Sequence, residues 1–376
     1  HTIFTNHVLS SDYVYNSLNQ LTEQSVPDDD NMQIWNYTLP NGLNSGLIIT
    51  ATQFIDASNG YLSGYVFGPQ GQKRGYLYRT HDAGHTWQIM NGTIAANFNK
   101  VVMTSSLNGY AVGDNGIVVM TQDGGNSWDL LPQYQNGITQ RLNAVAYDGA
   151  NTIAIAGNGI AFSLDVTSPG APVFHSAGTA ISTTDSITGI TWDIAHSLFY
   201  AVGDSSGYGV MYSGAESSGA ITWTKLANNI SSLPISKVQF LRSNRAHGFA
   251  AGVSGTLLHT TDQGRHWYMV PPTTLHDIRD IYFVTDNVGI ALIDSAQLYS
   301  KLYTTGNGGQ TWTLLSKPGE NYSAMSFYFD SLTATYKGVA VGYNGLIMRL
   351  VCNASLTSPY FGEVHINSPT TSDLKT

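Results

Sequence analysis

Short apolar runs alternate with clusters of turn-forming residues along most of the chain, and this pattern repeats. Its clearest copy, residues 100–131, reads as four runs, VVM, GYAVG, GIVVMT and SWDLL, separated by Asn, Asp, Gly and Ser. Runs of this length, rich in β-branched and apolar residues and bounded by turn residues, are typical of β-strands. The segment therefore predicts one four-stranded antiparallel meander.

The second run of this unit, a small-residue stretch followed by a Gly-containing turn, recurs at intervals of roughly 40–50 residues. The other copies are GYVFGPQG (64–71), AIAGNG (154–159), AVGDSSG (201–207), AAGVSG (250–255), ALIDSA (291–296) and AVGYNG (340–345). A lone meander of this size has open edges and cannot bury both faces, whereas repetition around an axis solves both problems. We therefore expect an all-β chain forming a seven-bladed β-propeller of four-stranded antiparallel blades.

An eight-residue motif follows the third run in four units, as THDAGHTW, TQDGGNSW, TTDQGRHW and TGNGGQTW. Its Asp, or Asn in the last copy, can accept backbone N–H bonds within a turn. Its Gly supplies a positive φ, and its Trp offers an apolar face for packing beside the next blade. The motif therefore predicts structural turns built by Thr80, Asp82, Gly84, Trp87, Thr121, Asp123, Gly125, Trp128, Thr260, Asp262, Gly264, Trp267, Thr305, Asn307, Gly309 and Trp312.

This motif resembles the Asp-box, or BNR, repeat S/T-x-D-x-G-x-T/S-W. That repeat occurs in sialidases, Vps10-type receptors, xyloglucan-cleaving glycosidases and the photosystem II assembly factor propellers. The resemblance covers about residues 45–350, with two complete copies, two near matches and degraded copies around Asp165 and Trp223. It implies a propeller architecture, and fold alone does not imply an activity.

The seventh unit begins at about Ser323 and ends without the motif or its Trp, so its fourth strand must come from elsewhere. The alternating segment MQIWNYTL, residues 32–39, directly precedes the first unit. We expect residues 31–39 to form the outer strand of the last blade and so to close the ring. The propeller then spans residues 31–358, between an N-terminal extension, 1–30, and a C-terminal tail, 359–376.

The N-terminal extension contains two strand-like stretches, TIFTNHVL and DYVYNSL. One interpretation places the tails across the chain's own propeller. The other has one tail adding a strand to a neighbouring subunit, and a head-to-tail contact that does not close produces an open fibre. The candidate donor residues are Ile3, Phe4, Val8, Tyr13, Val14 and Tyr15.

The composition of the chain limits its possible binding partners and its expected location. The net charge of -9 and only 16 Lys and Arg residues argue against nucleic acid or an anionic membrane as partner. No apolar run reaches the length of a membrane span. The chain starts with His1, from which we expect that a preceding segment was removed, and its hydroxyl- and amide-rich composition favours an exported, extracellular or cell-surface protein. Glycosylation sequons lie at Asn36, Asn91, Asn229, Asn321 and Asn353.

Candidate chemistry is sparse. A sialidase needs an arginine clamp for its substrate carboxylate, and no Arg of this chain precedes Ile-Pro. Other glycosidases need two carboxylates facing a cleft. The candidates are Asp114, Asp204 and Asp294, which end second strands of alternate blades and so share one face. The competing interpretation is that they only stabilise turns.

Histidines offer no predicted metal site. The N-terminal amine with His1 and His7 could suggest a copper site, but that arrangement belongs to a different fold. His259 and His266 flank the third motif with no partner apparent in the sequence. We therefore expect no metal and no cofactor, and the single cysteine, Cys352, excludes an intrachain disulfide.

These observations favour a non-enzymatic, exported structural or interaction protein. In its most specific form it assembles with copies of itself into a filament or surface array through its terminal strands, or binds another surface protein. The first alternative is a carbohydrate-binding or glycoside-hydrolysing propeller, with glycans as partners. The second is a membrane-complex assembly factor of the photosystem II type. The resemblance implies an Arg-rich partner surface for that class, whereas this chain is Arg-poor.

Overall fold

The computed structural model describes residues 12–15, 21–25, 43, 46–90, 96–131, 137–168, 170–176, 181–226, 230–271, 274, 276–294, 300–316, 320–331, 334–342, 346–352 and 361–363. These residues form β-strands and turns, with single-turn 3-10 helices at Asp114–Gly116 and Val253–Gly255. No helix in the described ranges has the length and apolar character to cross a membrane. The predicted all-β class is confirmed.

The first two strands, β1 (Asp12–Tyr15) and β2 (Leu21–Ser25), pair with each other as an antiparallel hairpin. The other described strands form seven antiparallel units, called blades 1 to 7, which hold four strands each.

Blade 1 contains β3 (Ile48–Phe54), β4 (Gly60–Phe67), β5 (Lys73–Thr80) and β6 (Gln88–Ile89), and blade 2 contains β7 (Phe98–Met103), β8 (Gly109–Gly113), β9 (Val118–Thr121) and β10 (Asp129–Leu130). Blade 3 contains β11 (Leu142–Tyr147), β12 (Thr152–Gly157), β13 (Ile160–Asp165) and β14 (Val173–Ser176), and blade 4 contains β15 (Asp185–Asp193), β16 (Leu198–Ser205), β17 (Tyr208–Ser217) and β18 (Ala220–Lys225). Blade 5 contains β19 (Ile235–Phe240), β20 (Gly248–Gly252), β21 (Leu257–Thr260) and β22 (Tyr268–Met269), and blade 6 contains β23 (Ile278–Phe283), β24 (Gly289–Asp294), β25 (Ser300–Thr305) and β26 (Thr313–Leu314). Blade 7 contains β27 (Tyr322–Asp330), β28 (Thr335–Gly342), β29 (Ile347–Cys352) and β30 (Phe361–Glu363). Blades 6 and 7 are joined into one sheet only by the pair Ser300–Tyr322.

The first strand of every blade is its inner strand and carries a β-bulge at the same register position. The bulged residues are Thr50, Asn99, Asn143, Thr188, Ser236, Arg279 and Ser323. A bulge leaves ladder groups unpaired, and in blades 1 to 4 the bulged side chain bonds to the following blade. Thr50 Oγ1 donates to the carbonyl of Phe98 at 2.7 Å, and Asn99 Nδ2 donates to that of Leu142 at 2.9 Å. Asn143 and Thr188 donate in the same way to the following blades.

The recurring Gly of the second strands lies opposite the residue that precedes the bulge in every blade except blade 6, where Ile293 holds the position. A Cβ at Gly113 would lie 1.8 Å from the carbonyl oxygen of Asn97, a distance that only glycine allows. The same close approach recurs at Gly157, Gly203, Gly252 and Gly342. The repeated AVG sequence therefore reflects a steric requirement of the bulge.

The blades close into a ring by packing between blade 7 and blade 1. Strand β27 lies beside β3, and each other inner strand lies beside that of the following blade. The amide of Phe54 donates to Ser326 Oγ at 3.1 Å, and Ala324, Val339 and Val341 share a buried cluster with blade 1. Arg349 Nε also donates to the carbonyl of Ala83 at 2.9 Å.

At the outer edge of blade 7, the expectation that residues 31–39 close the ring stays a prediction. Residues 31–39 lie outside the described part of the chain, and β30, from the predicted C-terminal tail, pairs with Leu350, Val351 and Cys352. The next residues of the same chain therefore complete the blade, after a connection that runs from Cys352 to Phe361. A strand from the other end of the chain is not needed at these three residues.

The described part of the N-terminal extension pairs internally. Tyr13, Val14 and Tyr15 of β1 pair with Gln24, Glu23 and Leu21 of β2. The other three candidate donor residues, Ile3, Phe4 and Val8, lie outside the described ranges. Strand donation to a neighbour stays a prediction.

Candidate functional site

The antiparallel order of the strands gives the ring two different faces. Turns between first and second strands, and between third and fourth strands, emerge at one face, which we call the box face because the Asp-box turns lie there. Second strands end and inner strands begin at the opposite face, which we call the bulge face. The central channel runs between the two faces and is lined by the inner strands.

The Asp-box turns of blades 1, 2, 5 and 6 share one hydrogen-bond pattern. In blade 2, Asp123 Oδ1 accepts from Thr121 Oγ1 and from the Ser127 amide, both at 2.9 Å, while Thr121 Oγ1 accepts from the Gly125 amide at 2.8 Å. Gly125 has φ +86, and the residue before it also has a positive φ. Asn307 replaces the Asp in blade 6 and its Oδ1 accepts the Thr311 amide at 2.9 Å.

The Asp-box tryptophans pack against the preceding blade, whereas we expected the next one. Trp128 of blade 2 shares a buried cluster with Tyr61 and Leu77 of blade 1, and Trp87 of blade 1 shares one with Val341 of blade 7. Trp267 and Trp312 follow the same rule, since they join clusters with blades 4 and 5. The motif therefore stabilises both its own turn and the contact between two blades.

The three candidate catalytic aspartates end second strands of different blades on the bulge face. Asp114 accepts bonds from Asn97 and Asn99 and forms an ion pair with Arg141 at 2.9 Å. Asp294 is held by Arg279 Nε at 2.6 Å and by Ser300 Oγ at 2.7 Å. Asp204 Oδ1 accepts the Gly207 amide at 2.6 Å within its own turn. These contacts match the turn-stabilising interpretation, and none of them pairs two of the carboxylates.

Charged side chains meet in the central channel, at the register position directly after the bulge. Lys100 of blade 2, Lys237 of blade 5 and Asp280 of blade 6 hold this position, and four small residues, Ala51, Ala144, Gly189 and Ala324, hold it in the other blades. Lys237 Nζ pairs with Asp280 Oδ1 at 3.0 Å. Blades 2 and 5 are three places apart in a ring of seven, so Lys100 interacts with this pair across the channel.

Lys100 is the excess cation of this group. Burial lowers the pKa of its ammonium, the charge of Lys237 lowers it further, and Asp280 opposes both effects. Within the described ranges, no ion pair includes Lys100, and Asp280 pairs with Lys237. Among the described residues, this level of the channel therefore holds two ammonium groups for one carboxylate.

A buried carboxylate in blade 4 has a structural role. Asp185 is almost inaccessible and accepts from Tyr212 Oη at 2.5 Å, Ser205 Oγ at 2.7 Å and Lys225 Nζ at 3.0 Å. Burial raises the pKa of Asp185, but these hydrogen bonds outweigh it and the net pKa is lowered. Burial and the bond to Asp185 raise the pKa of Tyr212 to about 12.

The expectation that no partner converges on His259 is wrong. Asp286 Oδ1 lies 2.5 Å from His247 Nδ1 and 3.1 Å from His259 Nε2, on the box face between blades 5 and 6. His266 instead contacts the box carboxylate of Asp262. The sequence conceals this cluster because its members are 12 to 39 residues apart and come from three different elements.

Comparisons with known proteins support the architecture. No protein-family model and no curated protein matches this chain. Among solved structures, YCF48 bound to D1 peptide superimposes with a TM-score of 0.60 and 19% identity, covering 82% of this chain and 94% of that one. YCF48 from Cyanidioschyzon merolae gives the same values with 96% of that chain covered.

The chain is a β-propeller. The GH74 xyloglucanase from Xanthomonas campestris also matches, with a TM-score of 0.56 and 14% identity over 86% of this chain and 55% of that one. The predicted resemblance to photosystem II assembly factor and glycosidase propellers is thus confirmed at the level of fold. At these sequence identities, the structural similarity does not assign an activity to this chain.

Four of the five predicted sequons, at Asn36, Asn91, Asn229 and Asn353, lie outside the described residues. Asn321 is partly buried and directly precedes β27, with its carbonyl oxygen close to Gly342. Glycosylation and export stay predictions.

Proposed function

We propose that this chain is a non-enzymatic propeller that binds a polypeptide partner, with Lys100 in the central channel receiving a carboxylate of that partner. The observation that carries the proposal is the excess ammonium of Lys100, placed opposite an ion pair that is already complete. An ammonium in a partly desolvated channel gains more from a carboxylate than an exposed lysine does, because screening by water is reduced.

The surroundings of Lys100 suit an extended chain end. The four small residues at the same level, Ala51, Ala144, Gly189 and Ala324, have no polar side chain that would compete with a ligand. Polypeptide C-termini carry a free carboxylate, as do Asp and Glu side chains. One of the structural neighbours, YCF48, is described as bound to a peptide, and this supports a polypeptide as the class of ligand.

The other functions have less support. Glycoside hydrolysis needs two carboxylates that act across one bond, and Asp114 and Asp294 are each occupied by an arginine, Arg141 and Arg279. Self-assembly into a filament and binding of glycans stay predictions, because the residues proposed to mediate assembly pair internally or lie outside the described ranges.

The test uses an array of synthetic peptides of mixed sequence, each displayed with a free C-terminal carboxylate and, separately, as the C-terminal amide. We expect the purified chain to capture a subset of the free-carboxylate peptides. The Lys100→Met variant should lose at least about tenfold in affinity for them, since a charge-assisted hydrogen bond to a carboxylate is removed. Capture should also weaken as pH rises, at lower pH than for an ordinary lysine, because the pKa of Lys100 is lowered.

Lys337→Met is the matched control, because Lys337 forms an ion pair with Asp330 on β27 and β28, away from the register level of Lys100. It should bind the same peptides as the unmodified chain. The proposal fails if no peptide is captured, or if Lys100→Met and Lys337→Met behave alike. Light scattering on the same samples would separately reveal high-mass assemblies, the outcome that self-assembly requires.

A further inference from the structure

We propose that His247, His259 and Asp286 form a binding site for a divalent transition-metal ion between blades 5 and 6 on the box face. In the described part of the chain these side chains form a group whose ligand atoms all lie within 4.8 Å of one another. Two imidazoles and one carboxylate are a ligand set that suits zinc and its neighbours in the first transition row.

The ligand spacing is close to that of an occupied site. Zinc binds imidazole nitrogen at about 2.0–2.1 Å and carboxylate oxygen at about 2.0–2.2 Å, which puts tetrahedral ligand atoms ~3.3 Å apart. The two imidazole nitrogens now lie 2.5 Å and 3.1 Å from the carboxylate oxygen of Asp286. Shifts of less than about 1 Å would therefore admit an ion.

The imidazoles are held in place by their surroundings. The ring of His259 stacks on Phe249 with centroids 4.5 Å apart, and Phe249 stacks on Phe283 of blade 6 at 3.7 Å. The amide of His247 donates to the carbonyl of Asn244 at 3.0 Å, which fixes the turn that carries it. Because these contacts are made between protein groups alone, binding requires little ordering of the ligands.

The two blades that supply the ligands are themselves fastened at this place. Gln239 Nε2 donates to the carbonyl of Phe283 at 2.9 Å, and the Phe283 amide donates back to Gln239 Oε1 at 2.7 Å. Ser243 Oγ donates to the carbonyl of Val284 at 2.9 Å. Asp286 is thereby positioned against the two histidines of blade 5.

Binding requires each imidazole to present an unprotonated nitrogen to the ion, which changes the tautomer of both rings. Without an ion, neutral His247 and His259 can each donate an N–H to Asp286. To ligate a metal, each ring keeps one proton but carries it on the other nitrogen, His247 on Nε2 and His259 on Nδ1. The three side chains remain 23–38% exposed, so solvent can reach the ion and complete its coordination.

The experiment titrates Zn²⁺ into the purified chain and follows heat by calorimetry and the unfolding temperature by fluorimetry. We expect one equivalent to bind and to raise the unfolding temperature, because an ion that bridges two blades binds only the folded ring. Mg²⁺ and Ca²⁺, which prefer six or more oxygen ligands, should give neither effect at equal concentration.

Variants identify the ligands. Asp286→Asn, His247→Gln and His259→Gln should each weaken Zn²⁺ binding at least about tenfold, the lower end of what even an indirect partner of a metal ligand contributes. His196→Gln is the matched control, because among the described residues His196 pairs with Asp193 and with no second imidazole. His7→Gln controls for binding at the N-terminus. Both controls should bind Zn²⁺ like the unmodified chain.

A measurement on the unmodified chain tests the site even if a variant fails to fold. Co²⁺ bound at this site should give visible d–d absorption and two paramagnetically shifted, exchangeable imidazole N–H proton resonances. The proposal is overturned if no equivalent of Zn²⁺ binds, if binding survives in both His247→Gln and His259→Gln, or if the Co²⁺ form shows no shifted imidazole protons.

Discussion

Blades with an Asp-box and blade 4 build their outer edges in different ways. In blades 1, 2, 5 and 6 the outer strand has two residues, as in β10, Asp129–Leu130. In blade 4 it has six, Ala220–Lys225, and follows a two-residue turn at Ser218 and Gly219, both with positive φ. The box therefore replaces ladder pairs with side-chain hydrogen bonds, and its Trp attaches the edge to the preceding blade.

Blade 3 lies between these two cases. Its third strand ends at Asp165, whose Oδ1 accepts the amide and hydroxyl of Thr167, at 2.9 Å and 2.6 Å, and its outer strand has four residues. The carboxylate still organises the start of a turn, but the turn is longer and carries no Trp. The turn can therefore vary in sequence and length while the outer strand keeps its position in the blade.

The largest expected effect distinguishes the two kinds of turn. Asp123→Ala removes three accepted hydrogen bonds in the box of blade 2, and we expect a loss of about 2–3 kcal/mol in the free energy of unfolding. Glu216→Ala in blade 4 removes the bond from the Gly219 amide and should cost only about 0.5–1 kcal/mol. Urea unfolding measures both. Equal losses would show that the box of blade 2 depends on its carboxylate no more than the turn of blade 4 depends on Glu216.

An intermediate effect depends on pH. Hydrogen bonds from the backbone and ring of His266 lower the pKa of Asp262 to about 2, below its ordinary value of 3.8. A carboxyl group whose pKa is lower in the folded state stabilises the fold above its unfolded pKa, and this contribution is lost as pH falls through the folded pKa. Asp262→Asn should therefore reduce the acid sensitivity of stability between about pH 4 and pH 2.

The blade 6 box provides the control for this prediction, since Asn307 makes the corresponding bonds without a charge. Asn307→Asp should add acid sensitivity in the same range, measured as the urea midpoint at each pH. Unchanged pH profiles in both variants would contradict the assigned role of the box carboxylate.

The smallest effect concerns backbone strain inside the box. Gln263 has φ +70, whereas blades 2 and 6 have Gly124 and Gly308 at this position. Gln263→Gly should raise the free energy of unfolding by up to about 1 kcal/mol, because glycine tolerates this conformation. The reverse change, Gly124→Ala, should be destabilising, since its Cβ would lie 2.9 Å from the carbonyl of Ser106. Thermal unfolding of the two variants should move in opposite directions.

Much of the fold follows from local pattern, because strands and turns depend on neighbouring residues. The repeated small-residue strand and the Asp-box predict the blades, and the box glycines have the positive φ expected of them. The bulges also have a signal in the sequence, a polar residue between an apolar one and a small or charged one, as in Phe98-Asn99-Lys100 and Leu142-Asn143-Ala144. The outer strand of blade 7 does not follow from local pattern: β30 pairs there with residues 350–352, whereas the expectation for residues 31–39 lies outside the described ranges and stays a prediction.

The sequence by itself determined that the chain repeats a four-stranded unit and where its sharp turns lie, since both depend on residues within one unit. Only the tertiary structure decided which distant charges meet. Lys100 faces Lys237 and Asp280 across the channel, and His259 meets His247 and Asp286 between two blades. These contacts depend on the closure of the ring and on the register of neighbouring blades, which bring together residues that no short pattern relates.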